Sequence, residues 1–393
     1  MAGVHTYGRQ LLDDDDRAAV RQVLDSDFLT QGPAIPRFEE ELCRITGARN
    51  AVAVANGTAA LHLACLAGGL GPGKAAVTSA ITFVASANAP LYCNGETLLA
   101  DIDPMTCCLS PAALGPIMAK QGRVDAVIPV HYAGLSADVV EIRRLVGSQA
   151  IIIEDAAHSL GGTDEAGNPV GSCAHSDMAI LSFHPVKTVT TGEGGAVLTN
   201  NDELANRLRL LRSHGTERDP SALINTADAF TNGSKNPWYY EQQLLGFNYR
   251  MTDLQAALGA SQLKKLPRFI ERRRELARRY DRLLSGLNHV VPIQSPALRE
   301  RSANHLYVVT IDFKAIGVSR AVLMRRLLEA KVGCQVHYIP VYRHPLHASR
   351  GKPADFPASE AFYERCLSLP LHPALDEGDI ARVVDTLAAS CRP

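Results

Sequence analysis

Short apolar runs alternate with helix-period segments between about residues 50 and 200. The runs AVAVANG, TLLADID, DAVIPVHYAG, AIIIEDAAHS and DMAILSFH predict strands, and TAALHLACLAGGLGPG predicts a helix that glycine and proline end. Strands this apolar are covered on both faces, and strands that alternate with helices usually run parallel. This part of the chain therefore predicts a mainly parallel sheet in an α/β fold.

The sequence pattern changes after residue 250. Long, charged, helix-period segments come first, MTDLQAALGASQLKKL and PRFIERRRELARRYDRLLSGL. Strand patterns (HLYVVTIDF and CQVHYIPV) and helices near 319–331 and 376–390 follow. We predict a large domain over 13–255 and a smaller C-terminal α/β domain over 256–393, with an N-terminal arm, 1–12, packed against the smaller one.

The polar, irregular segment 221–243 contains the only tryptophan of the chain. Its composition predicts a long loop, and long loops in compact proteins are often functional.

Composition and charge exclude several classes of protein. The 393 residues are 46% hydrophobic with a formal net charge of -1, so no global attraction to nucleic acid or to an anionic membrane is expected. The longest uncharged run, 75–95, contains hydroxyl side chains, an asparagine and a proline, which predicts a buried strand and helix rather than a membrane span. The N-terminus lacks a basic-then-apolar signal pattern.

The nine cysteines are scattered and form no C-x-x-C pair. We therefore expect neither a disulfide framework nor a metal site, and we expect a cytoplasmic protein.

Candidate chemistry begins at Lys187, which follows the apolar run MAILSF and precedes the small residues TTGEGG. Its nearest charged neighbours along the chain are Asp177 and Glu193. Lys187 is either a strand-end lysine that reaches solvent or a buried amine with a chemical role. Asp155, which ends the strand IIIED, is either a helix N-cap or a partner for a cation. Ligands of open α/β sheets bind at such strand ends, which favours the chemical interpretation.

A phosphate site is predicted where the strand AVAVA leads through Asn-Gly-Thr into an apolar helix that we expect to start without a cap. Free N–H groups and the helix dipole favour an anion there. Gly57 allows close approach, and Thr58 and Ser182 add hydroxyl groups. An amine, a carboxylate and a phosphate cup together suit pyridoxal phosphate.

A family resemblance covers nearly the whole chain. The motifs that carry it are LTQGPAIPRFEEEL, NGTAALHLA, ITFVASAN, EDAAHSLGG, SFHPVKTVTTGEGG, RLLRSHGTERD, LGFNYRMTDLQAALGASQL and VHYIPVY. In this order they resemble the DegT/DnrJ/EryC1/StrS family of pyridoxal-phosphate sugar aminotransferases. The resemblance implies fold type I, with a mainly parallel seven-stranded sheet in the large domain. Lysine rather than histidine at position 187 favours an aminotransferase over a dehydratase.

The resemblance also implies roles for single residues. Lys187 forms the internal aldimine, and Asp155 pairs with the pyridine nitrogen. Phe83 stacks on the ring, and His158 lies near the ring oxygen, although it fits a core histidine equally well. The residues that hold the phosphate are Gly57, Thr58 and Ser182.

Asn248, in GFNYRM, matches a family asparagine that reaches the phosphate of the neighbouring subunit. That match implies a homodimer whose active sites are shared between subunits. The helix that follows, LQAALGASQL, is a candidate for the subunit contact, or the segment is an ordinary helix start capped by Thr252.

For the reaction, the resemblance implies transfer of an amino group from L-glutamate to a UDP-linked 4-keto-6-deoxy-N-acetylhexosamine of the pseudaminic acid type. The candidate substrate-binding residues are Tyr7, His184, Trp238, Tyr240, Arg250, His337 and Tyr338. The last two also fit a buried strand.

Two alternatives stay open. One is another GDP-, dTDP- or UDP-linked 4-keto-6-deoxy sugar, for example of the perosamine type. The other is a non-catalytic sensor with the same fold, against which the presence of both Lys187 and Asp155 argues.

Overall fold

The computed structural model describes residues 5–122 and 124–392, so residues 1–4 of the predicted arm and residue 393 lie outside the described residues. A seven-stranded sheet consists of β1 (Asn50–Val54), β2 (Ala75–Ser79), β3 (Glu96–Ala100), β4 (Ala126–Ile128), β5 (Ile151–Asp155), β6 (Met178–Ser182) and β7 (Gly195–Thr199). In space their order is β1-β7-β6-β5-β4-β2-β3, and β7 runs antiparallel to both of its neighbours. The other six strands run parallel, so the predicted mainly parallel seven-stranded sheet is confirmed.

Helices cover this sheet. They are α1 (Asp14–Leu24), α2 (Ala34–Thr46), α3 (Gly57–Ala67), α4 (Val84–Tyr92), α5 (Pro111–Gln121), α6 (Val139–Val146) and α7 (Asp202–Arg212). Helix α3 is buried on nearly every side, as its continuous apolar sequence requires. Helix α2 is amphipathic and ends at Gly47, whose left-handed backbone (φ 80°) suits glycine.

The uncharged run 75–95 forms β2 and α4, as the sequence predicts. Across the two described ranges, the helices are all too short or too polar to cross a bilayer.

The segment 221–243 forms a small folded unit outside the large sheet, which we call the excursion. It contains α8 (Thr226–Ala229) and the hairpin of β9 (Phe230–Thr231) with β10 (Ser234–Lys235). The pairing of β8 (Thr216–Glu217) with β11 (Glu241–Gln242) closes its stem. The predicted long loop is therefore folded, with the Glu241 carboxylate accepting N–H groups from Ile224 and Asn225.

The chain then enters one long helix, α9 (Asp253–Leu284), where the sequence shows two helix-period segments. Thr252 caps it, with Gln255 completing a capping box, so the helix start is an ordinary capped one.

A three-stranded antiparallel sheet follows, in the order β12 (Val290–Pro292), β13 (Tyr307–Ile311), β14 (Cys366–Leu369). The remaining helices are α10 (Pro296–Arg301), α11 (Phe313–Ile316), α12 (Arg320–Glu329), α13 (Pro357–Arg365) and α14 (Glu377–Ser390).

The prediction of a strand at CQVHYIPV is wrong. Only Gln335 in that segment forms a bridge, to Ser368 of β14, and the pairing does not continue beyond it. The backbone around residue 337 instead carries side chains towards the cavity described below.

Helix α9 contributes to two apolar cores. Leu263, Leu266 and Phe269 pack beneath the large sheet, whereas Leu276 and Tyr280 pack with the small one. The predicted division after residue 255, at the start of α9, stays a prediction. At the N-terminal end, the N–H of His5 donates to Lys331 and its carbonyl accepts from Gly333, near the small sheet.

Candidate active site

A cavity of about 1050 Å³ opens at the carboxyl ends of the parallel strands. Asp155 closes β5 and Ser182 closes β6, and both line it. Lys187 lines it from the turn between β6 and β7. The expectation that strand-end residues meet at one edge of the sheet is met for these three side chains.

The turn that carries Lys187 is fixed by its own backbone, because the Lys187 N–H donates to the carbonyl of His184 at 2.9 Å. The side chain is half-buried. Burial lowers the pKa of Lys187 to about 8, although the charge of Asp155 acts in the opposite direction. Near neutral pH this amine is thus far more often unprotonated, and nucleophilic, than an exposed lysine.

Asp155 is buried and held by two hydrogen bonds. Its Oδ2 accepts the hydroxyl of Ser86 at 2.6 Å, and its Oδ1 accepts the N–H of Ala157 at 3.2 Å. The residues after it, 156–160, form a turn rather than a helix, so the helix N-cap alternative does not apply. A buried carboxylate that faces a cavity and a lysine is suited to hold a cationic ring nitrogen.

The first turn of α3 forms a cradle against β6. A Cβ on Gly57 would lie 3.0 Å from Ser182 Cβ and 3.2 Å from its Oγ, so any larger residue would push Ser182 away from α3. The helix is not uncapped as predicted, because Asn56 accepts the N–H of Ala59 at 2.8 Å. That cap leaves the N–H groups of Gly57 and Thr58, with the Ser182 hydroxyl, to bind an anion.

Aromatic and imidazole rings form other walls. Phe83 is 56% exposed and lies at the cavity, which suits a stacking role. His158 Nε2 lies 3.0 Å from the Tyr338 hydroxyl, whereas its buried Nδ1 has no hydrogen-bond partner in the described structure. Burial, and then the charge of Lys187, hold the pKa of His158 well below its ordinary value. His158 is thus a neutral cavity residue and not simply a core histidine.

Four of the seven candidate substrate residues line this cavity: Tyr7, His184, His337 and Tyr338. His337 is also held by a hydrogen bond, with its Nδ1 2.8 Å from the Ser368 hydroxyl. Its pKa is lowered to about 3 by burial and by Lys187. The structure does not bring the other three candidates, Trp238, Tyr240 and Arg250, to the cavity. Asn248 is also absent from its walls, exposed beside the end of α7.

Sequence reasoning missed three residues of the site. Ser86 bonds to Asp155, and Thr82 Oγ1 lies 2.9 Å from Ser86 Oγ. His305 packs against His158, with ring centroids 4.4 Å apart and the rings tilted by 34°. Thr82 and Ser86 lie four residues apart in ITFVASAN at the start of α4, and that spacing is a signal that could have indicated their contact.

These residues fit pyridoxal phosphate. Lys187 offers an amine of lowered pKa, Asp155 a buried carboxylate and the α3 cradle an anion site. The unpartnered Nδ1 of His158 is a buried polar atom that a ring oxygen would satisfy.

Comparisons with known proteins agree with this geometry. A model of the DegT/DnrJ/EryC1/StrS aminotransferase family matches residues 10–388. The spore coat polysaccharide biosynthesis protein SpsC of Bacillus subtilis (strain 168) is 36% identical over 387 residues, which cover 97% of this chain and 95% of SpsC.

Among solved structures, Helicobacter pylori PseC, an aminotransferase involved in the biosynthesis of pseudoaminic acid, superposes with a TM-score of 0.88 at 30% identity, covering 98% of this chain and 99% of PseC. DesI, solved in the presence of its TDP-sugar product, gives 0.84 at 29% identity, covering 99% of this chain and 93% of DesI. The fold expected from the sequence, fold type I, and the expected cofactor are thereby confirmed.

Proposed function

Because this chain belongs to the DegT/DnrJ/EryC1/StrS aminotransferase family of pyridoxal-phosphate enzymes, we propose that it transfers an amino group from L-glutamate to a sugar nucleotide. The acceptor is the C4 keto group of a UDP-linked 4-keto-6-deoxy-N-acetylhexosamine of the pseudaminic acid type. The observation that carries the chemistry is Lys187, whose amine of lowered pKa shares one cavity with Asp155 and the α3 cradle. The similarity to PseC over nearly the full chain supports this choice of acceptor.

The proposed mechanism assigns each side chain one task. Bound pyridoxal phosphate supplies an electron sink that makes a C–H bond of the amino donor acidic. Lys187 Nζ would hold the cofactor and would also carry the proton that leaves the donor carbon. The Asp155 carboxylate keeps a proton on the ring nitrogen. The N–H groups of Gly57 and Thr58, with the Ser182 hydroxyl, bind the phosphate.

We further propose a homodimer with shared active sites. Asn248 is exposed and lies outside the cavity of its own chain, as a residue that serves a partner would. No arginine is found among the described residues that line the cavity, although a phosphate and a donor carboxylate must be neutralised there. Arg250, two residues beyond Asn248, is the candidate cation from the second subunit.

Mixed dimers test this sharing. Lys187→Ala and Asn248→Asp chains, each inactive alone, form heterodimers in which one site lacks both groups and the other is intact. Tag-purified heterodimers should recover roughly half of the wild-type activity, since one of two sites works. Heterodimers no more active than their parents would show that Asn248 does not act across the interface.

Substrate assays test the reaction. The purified protein, loaded with pyridoxal phosphate, is given L-glutamate and one of three acceptors, the UDP-, GDP- or dTDP-linked 4-keto-6-deoxy sugar. We expect the UDP-linked N-acetyl sugar to react with the highest kcat/KM. A higher value for the dTDP-linked sugar would favour the second candidate, which the likeness to DesI with its TDP-sugar supports. A cofactor band that L-glutamate leaves unchanged would contradict the proposed donor.

A further inference from the structure

Two hydroxyl groups form a buried chain behind Asp155. Ser86 Oγ lies 2.6 Å from Asp155 Oδ2, and Thr82 Oγ1 lies 2.9 Å from Ser86 Oγ. Ser86 is fully buried and Thr82 is 1% exposed. Neither group is among those assigned above to hold the cofactor or to move a proton.

The direction of these hydrogen bonds follows from chemistry. An ionised carboxylate only accepts, so Ser86 must donate its single O–H to Asp155. The Ser86 oxygen then accepts from Thr82, which donates in turn. The hydrogen bonds therefore run from Thr82 through Ser86 to Asp155, and each bond polarises the next.

Such a chain stabilises the charged form of a buried carboxylate. Asp155 sits where an unsatisfied charge would be costly, and the described structure offers Oδ2 no bond other than that from Ser86. With Oδ2 bonded to Ser86 and Oδ1 bonded to the N–H of Ala157, the carboxylate cannot rotate freely. Its remaining lone pairs are directed by those two bonds.

We propose that Ser86, supported by Thr82, is a positioning residue for Asp155. It holds the carboxylate ionised and oriented for the ring nitrogen of the cofactor. Ser86 touches neither cofactor nor substrate in this scheme, so it acts only through Asp155. The inference rests on the proposed function, because it assumes that role for Asp155.

The chain offers a matched control in Ser79, the last residue of β2. Its hydroxyl is also fully buried, but it has no hydrogen-bond partner in the described structure. Ser79→Ala and Ser86→Ala therefore remove the same atom from similar surroundings, and only the second removes a bond to Asp155.

The experiment is a double-mutant cycle on the half-reaction with L-glutamate, which needs no sugar. The loss of the cofactor absorbance band is followed by stopped flow for wild type, Ser86→Ala, Asp155→Asn and the double variant, with Ser79→Ala as control. A hydrogen bond to a charged group predicts a loss of about ten- to a hundred-fold for Ser86→Ala. In the Asp155→Asn background the same change should cost less than about twofold, because the charge it supports is gone.

Two results would overturn the inference. One is a Ser86→Ala protein as fast as Ser79→Ala. The other is an equal loss in the wild-type and Asp155→Asn backgrounds, since Ser86 would then support the fold and not the carboxylate. If Ser86→Ala does not fold, Thr82→Val enters the same cycle, with an expected loss of about two- to tenfold.

A wild-type protein that binds the cofactor but does not react with L-glutamate would count against the proposed function alone. In that case the pH dependence of the cofactor absorbance decides the inference. The band of Ser86→Ala should differ in its pH profile from those of wild type and Ser79→Ala, and identical profiles would refute a role through Asp155.

Discussion

Lys187 and Lys265 are both partly buried, but their pKa values shift in opposite directions. Lys187 faces the cavity, and burial lowers its pKa to about 8 with only the charge of Asp155 acting against it. Lys265, where α9 contacts α1, is also desolvated, yet its bonds to Asp13 and Asp16 outweigh burial and raise its pKa. Burial alone thus identifies no reactive amine. What separates the two is whether carboxylates bind the amine directly or only act on it from a distance.

The largest expected effect is the loss of the unpaired amine. Lys187→Ala should reduce turnover to below about a thousandth of the wild-type value, because the covalent attachment and the proton carrier are lost together. Lys265→Ala, the matched change, should keep kcat within about twofold. A steady-state assay with L-glutamate measures both, and substantial activity in Lys187→Ala would mean that another amine serves.

Removing the charge beside Lys187 should have the next largest effect. Asp155→Asn should leave the cofactor bound but lower kcat by about a hundredfold, since an amide cannot hold a ring cation by charge. Cofactor content by absorbance and kcat by assay separate binding from chemistry. Near-normal turnover in a folded variant would reduce Asp155 to a structural residue.

A third test uses pH. Because only the neutral amine attacks the cofactor aldehyde, cofactor-free protein should capture pyridoxal phosphate about tenfold faster at pH 7 than at pH 6. The rate should level off above the Lys187 pKa of about 8. Lys265→Met should show the same profile. A rate that keeps rising about tenfold per pH unit up to pH 10 would contradict the lowered pKa.

The smallest effects concern stability, and the two lysines should differ in sign. Without cofactor, Lys187→Met should raise the free energy of unfolding by about 1–2 kcal/mol at pH 7, because burying that charge is costly. Lys265→Met should lower it by a similar amount, about 1–2 kcal/mol, by leaving the buried Asp16 without its cation. Urea unfolding measures both.

The two variants should also respond oppositely to alkali. The folded-state pKa of Lys187 lies below its unfolded value, so its cost is complete below about pH 8 and fades as pH rises towards 10.5. The folded-state pKa of Lys265 is raised, so its contribution is complete below the ordinary lysine pKa and is lost above it. If raising the pH shifts the effect of both substitutions on the free energy of unfolding in the same direction, the two lysines do not differ as proposed.

Sequence reasoning succeeded where the signal is local. The strand-end rule needs no tertiary contact to predict Lys187 and Asp155, and the structure brings both side chains to one cavity. The strand β7 was not predicted, since its short run GAVLT follows glycines and resembles loop sequence. The cap at Asn56 was overlooked, although asparagine before a helix is a standard N-cap signal.

Other parts of the site depend on contacts that no spacing reveals. Ser86 meets Asp155 across 69 positions of sequence, and Tyr338 meets His158 across 180. The strand pattern of CQVHYIPV reports burial correctly for His337, but burial against a cavity and burial in a sheet look alike in sequence. The pattern therefore predicted a strand where the chain lines a cavity.

The closed stem of the excursion has a consequence for how this chain can diversify. Because β8 and β11 pair, the polypeptide leaves and rejoins the body at adjacent points, and the bridge between Ser213 and Asn248 lies outside that stem. Residues within the excursion can be inserted, deleted or exchanged while these anchors stay in register. Doubling the length of such a loop adds only about 0.6 kcal/mol of closure entropy. We therefore expect this segment to tolerate changes of length and sequence while the core stays unaltered.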